Sequence, residues 1–207
     1  MSIIITESAS GDNLHQLFMK YYSCSQRHVL IDDLRSNHEF KPTIEEVMKS
    51  AGLSECPEYI TSIRRRVRLP DMKLFWIWIP IYRVNNKLTR FLPGFLTQYK
   101  QYPVFVIEDV LNKEMFPENE ANVVMKETPL NPVWETRDNW KRWFKLNLSL
   151  FLSILSELFG PGEPDLLGYL QGTKPTGWLV FLVKTAYVHK ETLKCAPWRR
   201  WPCEKAA

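Results

Sequence analysis

The sequence has little that is typical of an enzyme or a metal protein. Its eight glycines form no P-loop, dinucleotide fingerprint or nucleophile elbow, and no HExxH segment is present. No two of the four cysteines stand at the two-residue spacing of a zinc knuckle or a redox motif. We therefore expect no catalytic residue, no metal and no cofactor. Four reduced thiols are the simplest interpretation, with a metal site built from distant positions as the alternative.

Long hydrophobic runs are also missing. The longest, Leu74 to Ile79 and Trp178 to Val183, are far too short to span a bilayer. Residues Met1 to Ser10 have neither the basic region nor the apolar region of a secretory signal. These patterns predict a cytoplasmic protein without a membrane partner.

Positive charge, by contrast, is concentrated in one part of the chain. Between Thr61 and Lys100 lie nine basic residues and one acid, Asp71, so this segment carries a net charge of +8. The rest of the chain has 18 basic and 22 acidic residues, a net charge of −4. Such a basic block favours polyanions and is typical of nucleic-acid contact. The alternative is a solvated face on an edge strand, where basic side chains discourage edge-to-edge pairing.

Hydrophobic spacing predicts an α+β protein that is mostly helical, with a small basic β-ribbon and a helix-turn-helix. In the first segment, one helix is expected after Asp12, and a second should begin at a capping box of Thr43 and Glu46 and end at Gly52. The predicted segments are an N-terminal helical segment (1–55), a basic β-ribbon (56–100), a helix-turn-helix with a long third helix (101–160), and a C-terminal connector, packed segment and tail (161–207).

β-Branched and aromatic residues predict the strands of the β-ribbon between Tyr59 and Val84, with a turn at Pro70–Asp71. We expect its basic side chains on one face. Asn85–Asn86 indicates a further turn. The eight tryptophans are expected to be mostly core residues, and base stacking is the alternative for them.

Three helical stretches, at 104–112, about 118–127 and 132–159, are joined by short polar links. This order is that of a helix-turn-helix with the third stretch as recognition helix, capped by Asn131 before Pro132. Basic side chains in its first turns could reach phosphates or guanine edges. A plain bundle of amphipathic helices has the same pattern. Trp178 to Tyr187 is expected to be a final helix or strand.

Short motifs between about residues 56 and 185 carry a family resemblance. They are Trp78-Ile79-Pro80-Ile81-Tyr82-Arg83, Thr89, Leu92-Pro93-Gly94-Phe95-Leu96, Tyr99-Lys100-Gln101-Tyr102, Val106-Ile107-Glu108-Asp109-Val110, Thr136 with Trp140-Lys141-Arg142-Trp143-Phe144, and Gly177-Trp178-Leu179 with Val183. Together they resemble an uncharacterised bacterial family that is associated with insertion sequences and described as transposase-like. That family places a zinc-ribbon-like segment ahead of a helix-turn-helix, so the resemblance implies DNA binding in a mobile genetic element.

The chain departs from the family at two places. Many members carry a cysteine pair where this chain has Val84-Asn85-Asn86-Lys87, and zinc requires thiolate or imidazole ligands, so the ribbon is expected to be metal-free. Cys56 stands near the position of a first ligand pair but has no partner. Asp138–Asn139 occupies a position at which the family tends to have basic residues, and an acid there would repel phosphate and reduce or redirect DNA affinity.

These observations predict a non-catalytic DNA-binding protein with an accessory or regulatory role in a mobile element. Double-stranded DNA is the expected partner, and a second copy of the chain, in a homodimer, is another expected partner. The candidate contacts with nucleic acid are Arg64, Arg65, Arg66, Arg68, Arg83, Lys87, Arg90, Lys100, Arg137, Lys141, Arg142 and Lys145.

Two other classes of function compete with DNA binding. One is a protein-interaction or structural module that uses the aromatic and leucine residues of the 132–159 helix as a dimer or partner interface. The other is an enzyme acting through two metals, which requires convergent carboxylates. The adjacent pairs Asp32–Asp33 and Glu45–Glu46 do not meet that requirement, because neighbouring side chains on a helix point apart.

Overall fold

The computed structural model describes residues 2–6, 16, 40–68, 74–98, 100–116, 132–160, 177–189 and 193–194. Within these residues the chain is α+β, which confirms the predicted fold class. The elements in chain order are β1 (Ser2–Thr6), α1 (Ile44–Ala51), β2 (Glu58–Arg68), β3 (Leu74–Val84), β4 (Lys87–Pro93), α2 (Val104–Glu114), α3 (Trp134–Phe159) and α4 (Trp178–Val188).

The sheet has the strand order β1-β4-β3-β2. β2, β3 and β4 are antiparallel neighbours, whereas β1 runs parallel to β4 with Ile4 opposite Phe91. The prediction of a helical N-terminal segment is therefore wrong for residues 2–6. Three consecutive isoleucines there favour a strand, and pairing with β4 supplies the backbone hydrogen bonds.

The turn between β3 and β4 is the one that Asn85–Asn86 predicts. Both asparagines have positive φ angles, 48° and 60°. A two-residue loop with left-handed conformation at both positions matches the right-handed twist of the flanking strands, and asparagine tolerates that conformation. The turn is confirmed, and it fixes the register in which Val84 lies opposite Lys87.

The two faces of the sheet differ because successive side chains on a strand point to opposite sides. On the inner face, Val67, Ile77 and Ile79 are fully buried. On the outer face of the same strands, Trp76 and Trp78 are exposed. The two predicted strands of the β-ribbon are thus confirmed as β2 and β3, and they belong to a larger sheet.

Helix α1 shows the predicted capping box. The Thr43 backbone N–H donates to the Glu46 carboxylate at 2.6 Å, and the Glu46 N–H donates to the Thr43 hydroxyl at 3.2 Å. Gly52 ends the helix with a φ of 64°, in the left-handed region that favours glycine. All three residues act as the sequence predicts.

The inner face of the sheet and the helices share one hydrophobic core. It contains residues from each of the four predicted segments, including Val47, Val67, Val104 and Trp178. Helix α4 contacts α2, α3 and β1. The stretch from Trp178 onward, for which the sequence allows a helix or a strand, is thus a helix.

Two of the three predicted helix-turn-helix segments are present as α2 and α3. Helix α3 begins at Trp134, with Val133 as N-cap and no side-chain cap, two residues later than predicted. The middle stretch, 118–127, lies outside the described residues, as do the predicted Asn131 cap, the helix after Asp12, the Pro70–Asp71 turn and the C-terminal tail. The helix-turn-helix therefore stays a prediction. None of the helices in the described part of the chain is long and apolar enough to cross a membrane.

Candidate nucleic-acid interface

Four side chains form the outer surface of β2 and β3, which we call the Arg–Trp face: Arg64, Arg66, Trp76 and Trp78. Arg64 lies opposite Trp78, and Arg66 lies opposite Trp76. Both arginines are exposed, and Trp76 and Trp78 are 45% and 41% exposed. Because indole rings are usually buried, two exposed ones side by side indicate a binding surface.

Arg64 lies over both indoles of this face. Its guanidinium carbon is 4.5 Å from the ring centroid of Trp76 and 5.7 Å from that of Trp78. At these distances a cation is attracted to the electron-rich face of the ring, and a planar guanidinium can also stack on it. No acidic side chain among the described residues forms an ion pair with Arg64 or Arg66. The charge of the face is therefore not neutralised by those acids.

A groove of about 660 Å³ borders the Arg–Trp face. Its polar lining includes two amides, Gln98 and Gln101. No acidic side chain of the described residues contributes to it. The cationic side chains of the lining are Arg64, Arg65, Arg66, Arg90 and Lys100.

Arg65 belongs to the inner face of β2, because it pairs with the buried Ile77. The prediction that the basic side chains share one face is therefore wrong for this residue. Its Nη2 donates hydrogen bonds to the backbone carbonyls of Thr97 and Lys100. Desolvation lowers the pKa of Arg65 to about 10; Tyr187 raises it, and the charge of Arg90 lowers it further.

Arg90 and Lys100 are the other two cations of the groove lining that do not belong to the Arg–Trp face. Arg90 lies opposite Ile81 on β4, and its Nε is buried without a hydrogen-bond partner among the described residues. Lys100 is buried, with its ammonium nitrogen 5.4 Å from the ring centroid of Trp143. Such a contact with an indole stabilises a cation but leaves its charge in place.

Three other candidates of the β-ribbon lie away from the groove lining. Arg68 is bound to the next segment: its backbone N–H donates to Gln101 and its guanidinium lies 6.0 Å from the ring centroid of Tyr102. Arg83 forms an ion pair with Glu58. Lys87 is exposed beside the β3–β4 turn. The pairing of Arg83 makes it a poorer contact for phosphate than Arg64 or Arg66.

The predicted contacts on α3 are mostly engaged within the protein. Glu114 accepts from Arg137 at 2.7 Å and lies 2.8 Å from the Lys141 ammonium. Arg142 pairs with Asp138 at 3.2 Å, one helical turn away. Lys145 is exposed. Three of the four cations predicted for the recognition helix thus pair with carboxylates of the protein, which reduces their attraction for phosphate.

The described residues contain no group of three or more histidine, cysteine, aspartate or glutamate side chains that could hold a metal ion. Cys56 is exposed and free. The other three cysteines lie outside the described residues.

The groove was not predicted from the sequence. One sequence signal for the inward position of Arg65 was present. Residues two apart on a strand share a face, and Ile63 and Val67, two residues before and after Arg65, are apolar. Lys100 and Gln101 approach β2 because of the way distant segments fold, and no local sequence pattern predicts this approach.

No protein-family model, curated protein or solved structure matches this chain.

Proposed function

We propose that this chain is a non-catalytic nucleic-acid-binding protein that contacts single-stranded DNA through the Arg–Trp face. The observation that carries the proposal is the exposure of Trp76 and Trp78, whose ring centroids lie 4.5 and 5.7 Å from the Arg64 guanidinium. Indole rings stack on unpaired bases, each stack contributing about 1–3 kcal/mol, and arginines neutralise the flanking phosphates. Bases in a duplex offer no free ring face to a flat sheet surface.

Charge supports the same surface. The segment between Thr61 and Lys100 carries a net +8, and both arginines of the face are without an ion pair to the described acids. A polyanion is attracted to such a surface, with an affinity that falls as salt rises. Contact with duplex DNA through α3 has weaker support, because Glu114 and Asp138 hold its cations. The mobile-element context is part of the proposal through the motif resemblance alone.

The competing module function draws no support from α3. Phe151 and Leu155, which would form the apolar interface, are fully buried in the core of the chain itself, and Leu148 packs against that core. The exposed apolar side chains of α3 are Trp134, Leu146 and, at its C-terminal end, Leu158 and Phe159, which are 45% and 61% exposed. Those two residues alone make a small patch.

The proposal is tested by fluorescence anisotropy with a labelled single strand of about 12 nucleotides and the matching duplex. We expect the single strand to bind more tightly. Trp76→Ala and Trp78→Ala should each weaken single-strand binding by at least about fivefold. The matched control is Trp134→Ala, which removes an indole that is 53% exposed at the start of α3 and should leave the affinity unchanged.

The charge contribution is measured in the same assay from the salt dependence. Replacing Arg64 and Arg66 by glutamine should reduce the slope of log affinity against log salt by about 0.7 for each phosphate that the arginines neutralise. Lys49→Gln, an exposed charge on α1, is the control. Preference for the duplex, or full single-strand affinity in both tryptophan variants, would overturn the proposal.

A further inference from the structure

Positive charge is concentrated in the groove beside the Arg–Trp face. Five of its lining side chains are cationic, and none of the described residues that line it is acidic. Arg65 and Arg90 both belong to the inner face of the sheet, where they are partly shielded from water. Burying like charges together is unfavourable unless an anion neutralises them.

Among the described residues, Arg65 donates hydrogen bonds only to neutral groups, and one nitrogen of Arg90 has no hydrogen-bond acceptor. Both hydrogen bonds of Arg65 to described residues use Nη2 and end on backbone carbonyls. The Nε of Arg90 is buried and has no hydrogen-bond partner among the described residues. Desolvation lowers the pKa of Arg65 to about 10, an effect that Tyr187 partly offsets and the charge of Arg90 reinforces. The positive charge of these two arginines is thus available to an external anion.

The shape and chemistry of the groove favour a phosphate group over a simple carboxylate. Guanidinium groups present planar, paired N–H donors that match the oxygens of a phosphate. Two guanidinium groups can therefore both donate hydrogen bonds to one phosphate dianion. A volume of about 660 Å³ lies within the range of small-ligand pockets and exceeds the needs of a lone phosphate. The lining also includes Trp76, whose ring can stack on a heterocycle, and Gln98 and Gln101, whose amides can hydrogen-bond to it.

We propose that this groove is a nucleotide site in which Arg65 and Arg90 bind the phosphate and Trp76 stacks on the base. The ligand is a 5′-phosphorylated nucleoside, either free or at the end of a strand. The site goes beyond single-strand binding, because a mononucleotide can fill it while the rest of the Arg–Trp face is empty.

The proposal is tested by calorimetric titration of the full chain with a nucleoside monophosphate. The same nucleoside without phosphate and a dicarboxylate serve as comparison ligands. We expect the monophosphate to bind at least about tenfold more tightly than either of them. Arg90→Gln should reduce that affinity by about tenfold or more, whereas Lys49→Gln should leave it unchanged. Thermal unfolding of each variant establishes that it is folded.

Because Arg65 is half-buried and donates to two backbone carbonyls, its removal can damage the fold, so Arg65→Lys is the second variant. It retains the charge but loses the guanidinium fork, and it should weaken monophosphate binding while nucleoside binding stays the same. Equal affinity for nucleoside and monophosphate would overturn the proposal, as would equal affinity for the dicarboxylate or an unaffected Arg90→Gln variant.

A last comparison identifies the source of the phosphate and separates this site from the proposed function. A single strand with a 5′-phosphate should bind more tightly than the same strand without it if strand ends occupy the groove, and equally if the ligand is a free nucleotide. Loss of monophosphate binding with intact single-strand binding would overturn the nucleotide site alone. The reverse result would overturn single-strand binding alone.

Discussion

The guanidinium of Arg64 lies 4.5 Å above the indole ring of Trp76, across two neighbouring strands. This contact places a cation and an aromatic ring at the same point of an exposed sheet surface. A base and its phosphate require these two groups together, so the contact links the fold to the proposed activity.

Arg64→Lys tests whether the planar guanidinium matters beyond its charge. Lysine retains the positive charge but cannot stack on the ring, so the indoles should become less ordered. We expect single-strand affinity to fall by about threefold, which corresponds to an exposed cation–π contact, with an unchanged salt slope. Anisotropy titrations at several salt concentrations measure both quantities. An unchanged affinity would show that the contact makes no contribution.

Glu114→Gln distinguishes the Arg–Trp face from α3 as the contact surface. The substitution releases Arg137 and Lys141 from their carboxylate. If α3 is not the contact surface, the released cations do not face the DNA, and duplex affinity should change by no more than about twofold. A rise of several-fold in duplex binding, measured by anisotropy, would instead favour the recognition-helix prediction.

Much of the local structure was predictable because it depends on neighbouring residues. Thr43 and Glu46 are three residues apart and cap each other, and Asn85–Asn86 forms the turn that its own backbone preference favours. The strands β2 and β3 follow from their β-branched and aromatic content. These features need no knowledge of the rest of the fold.

The parts that could not be predicted depend on distant contacts. The parallel pairing of β1 joins the first residues to β4, and the groove joins β2 to Lys100. The ion pairs of Arg137 and Lys141 depend on Glu114, which belongs to another helix. Sequence patterns identify candidate cations, but their availability depends on which carboxylates the fold brings near them.

Glu108 should make stability dependent on pH. Its carboxylate is buried and accepts from the backbone N–H groups of Gly177 at 2.6 Å and Leu179 at 2.8 Å, where α4 begins. These bonds favour the charged form, but desolvation outweighs them and raises the pKa of Glu108 to about 7 from 4.5. The folded state therefore holds this proton more tightly than the unfolded state. The resulting stabilisation is complete below pH 4.5 and is lost as the pH rises through 7.

Urea unfolding of Glu108→Gln and of the unsubstituted chain at pH 5 and pH 8 measures this effect. The unsubstituted chain should lose on the order of 3 kcal/mol more than the variant between these pH values. Glu55→Gln, which replaces an exposed carboxylate, should behave like the unsubstituted chain. Identical pH dependence in Glu108→Gln and the unsubstituted chain would contradict the raised pKa.

Asn147 should anchor Lys194 to α3. Its buried amide donates to the Lys194 carbonyl at 3.1 Å, and its Oδ1 accepts from the Lys194 N–H at 2.7 Å. Asn147→Leu removes both bonds and should lower the free energy of unfolding by about 1–3 kcal/mol. Limited proteolysis near Lys194 should become faster, while Ser149→Ala, an exposed position on α3, should change neither quantity. Unaltered cleavage in Asn147→Leu would contradict the anchoring role.

The most direct test of single-strand binding by the Arg–Trp face is NMR observation of the indole N–H resonances during titration with a single strand. Stacked bases shift nearby resonances through their ring currents, so those of Trp76 and Trp78 should move with strand concentration, while that of Trp134 stays in place. Stationary Trp76 and Trp78 resonances at a strand concentration that saturates the anisotropy signal would contradict single-strand binding by this face.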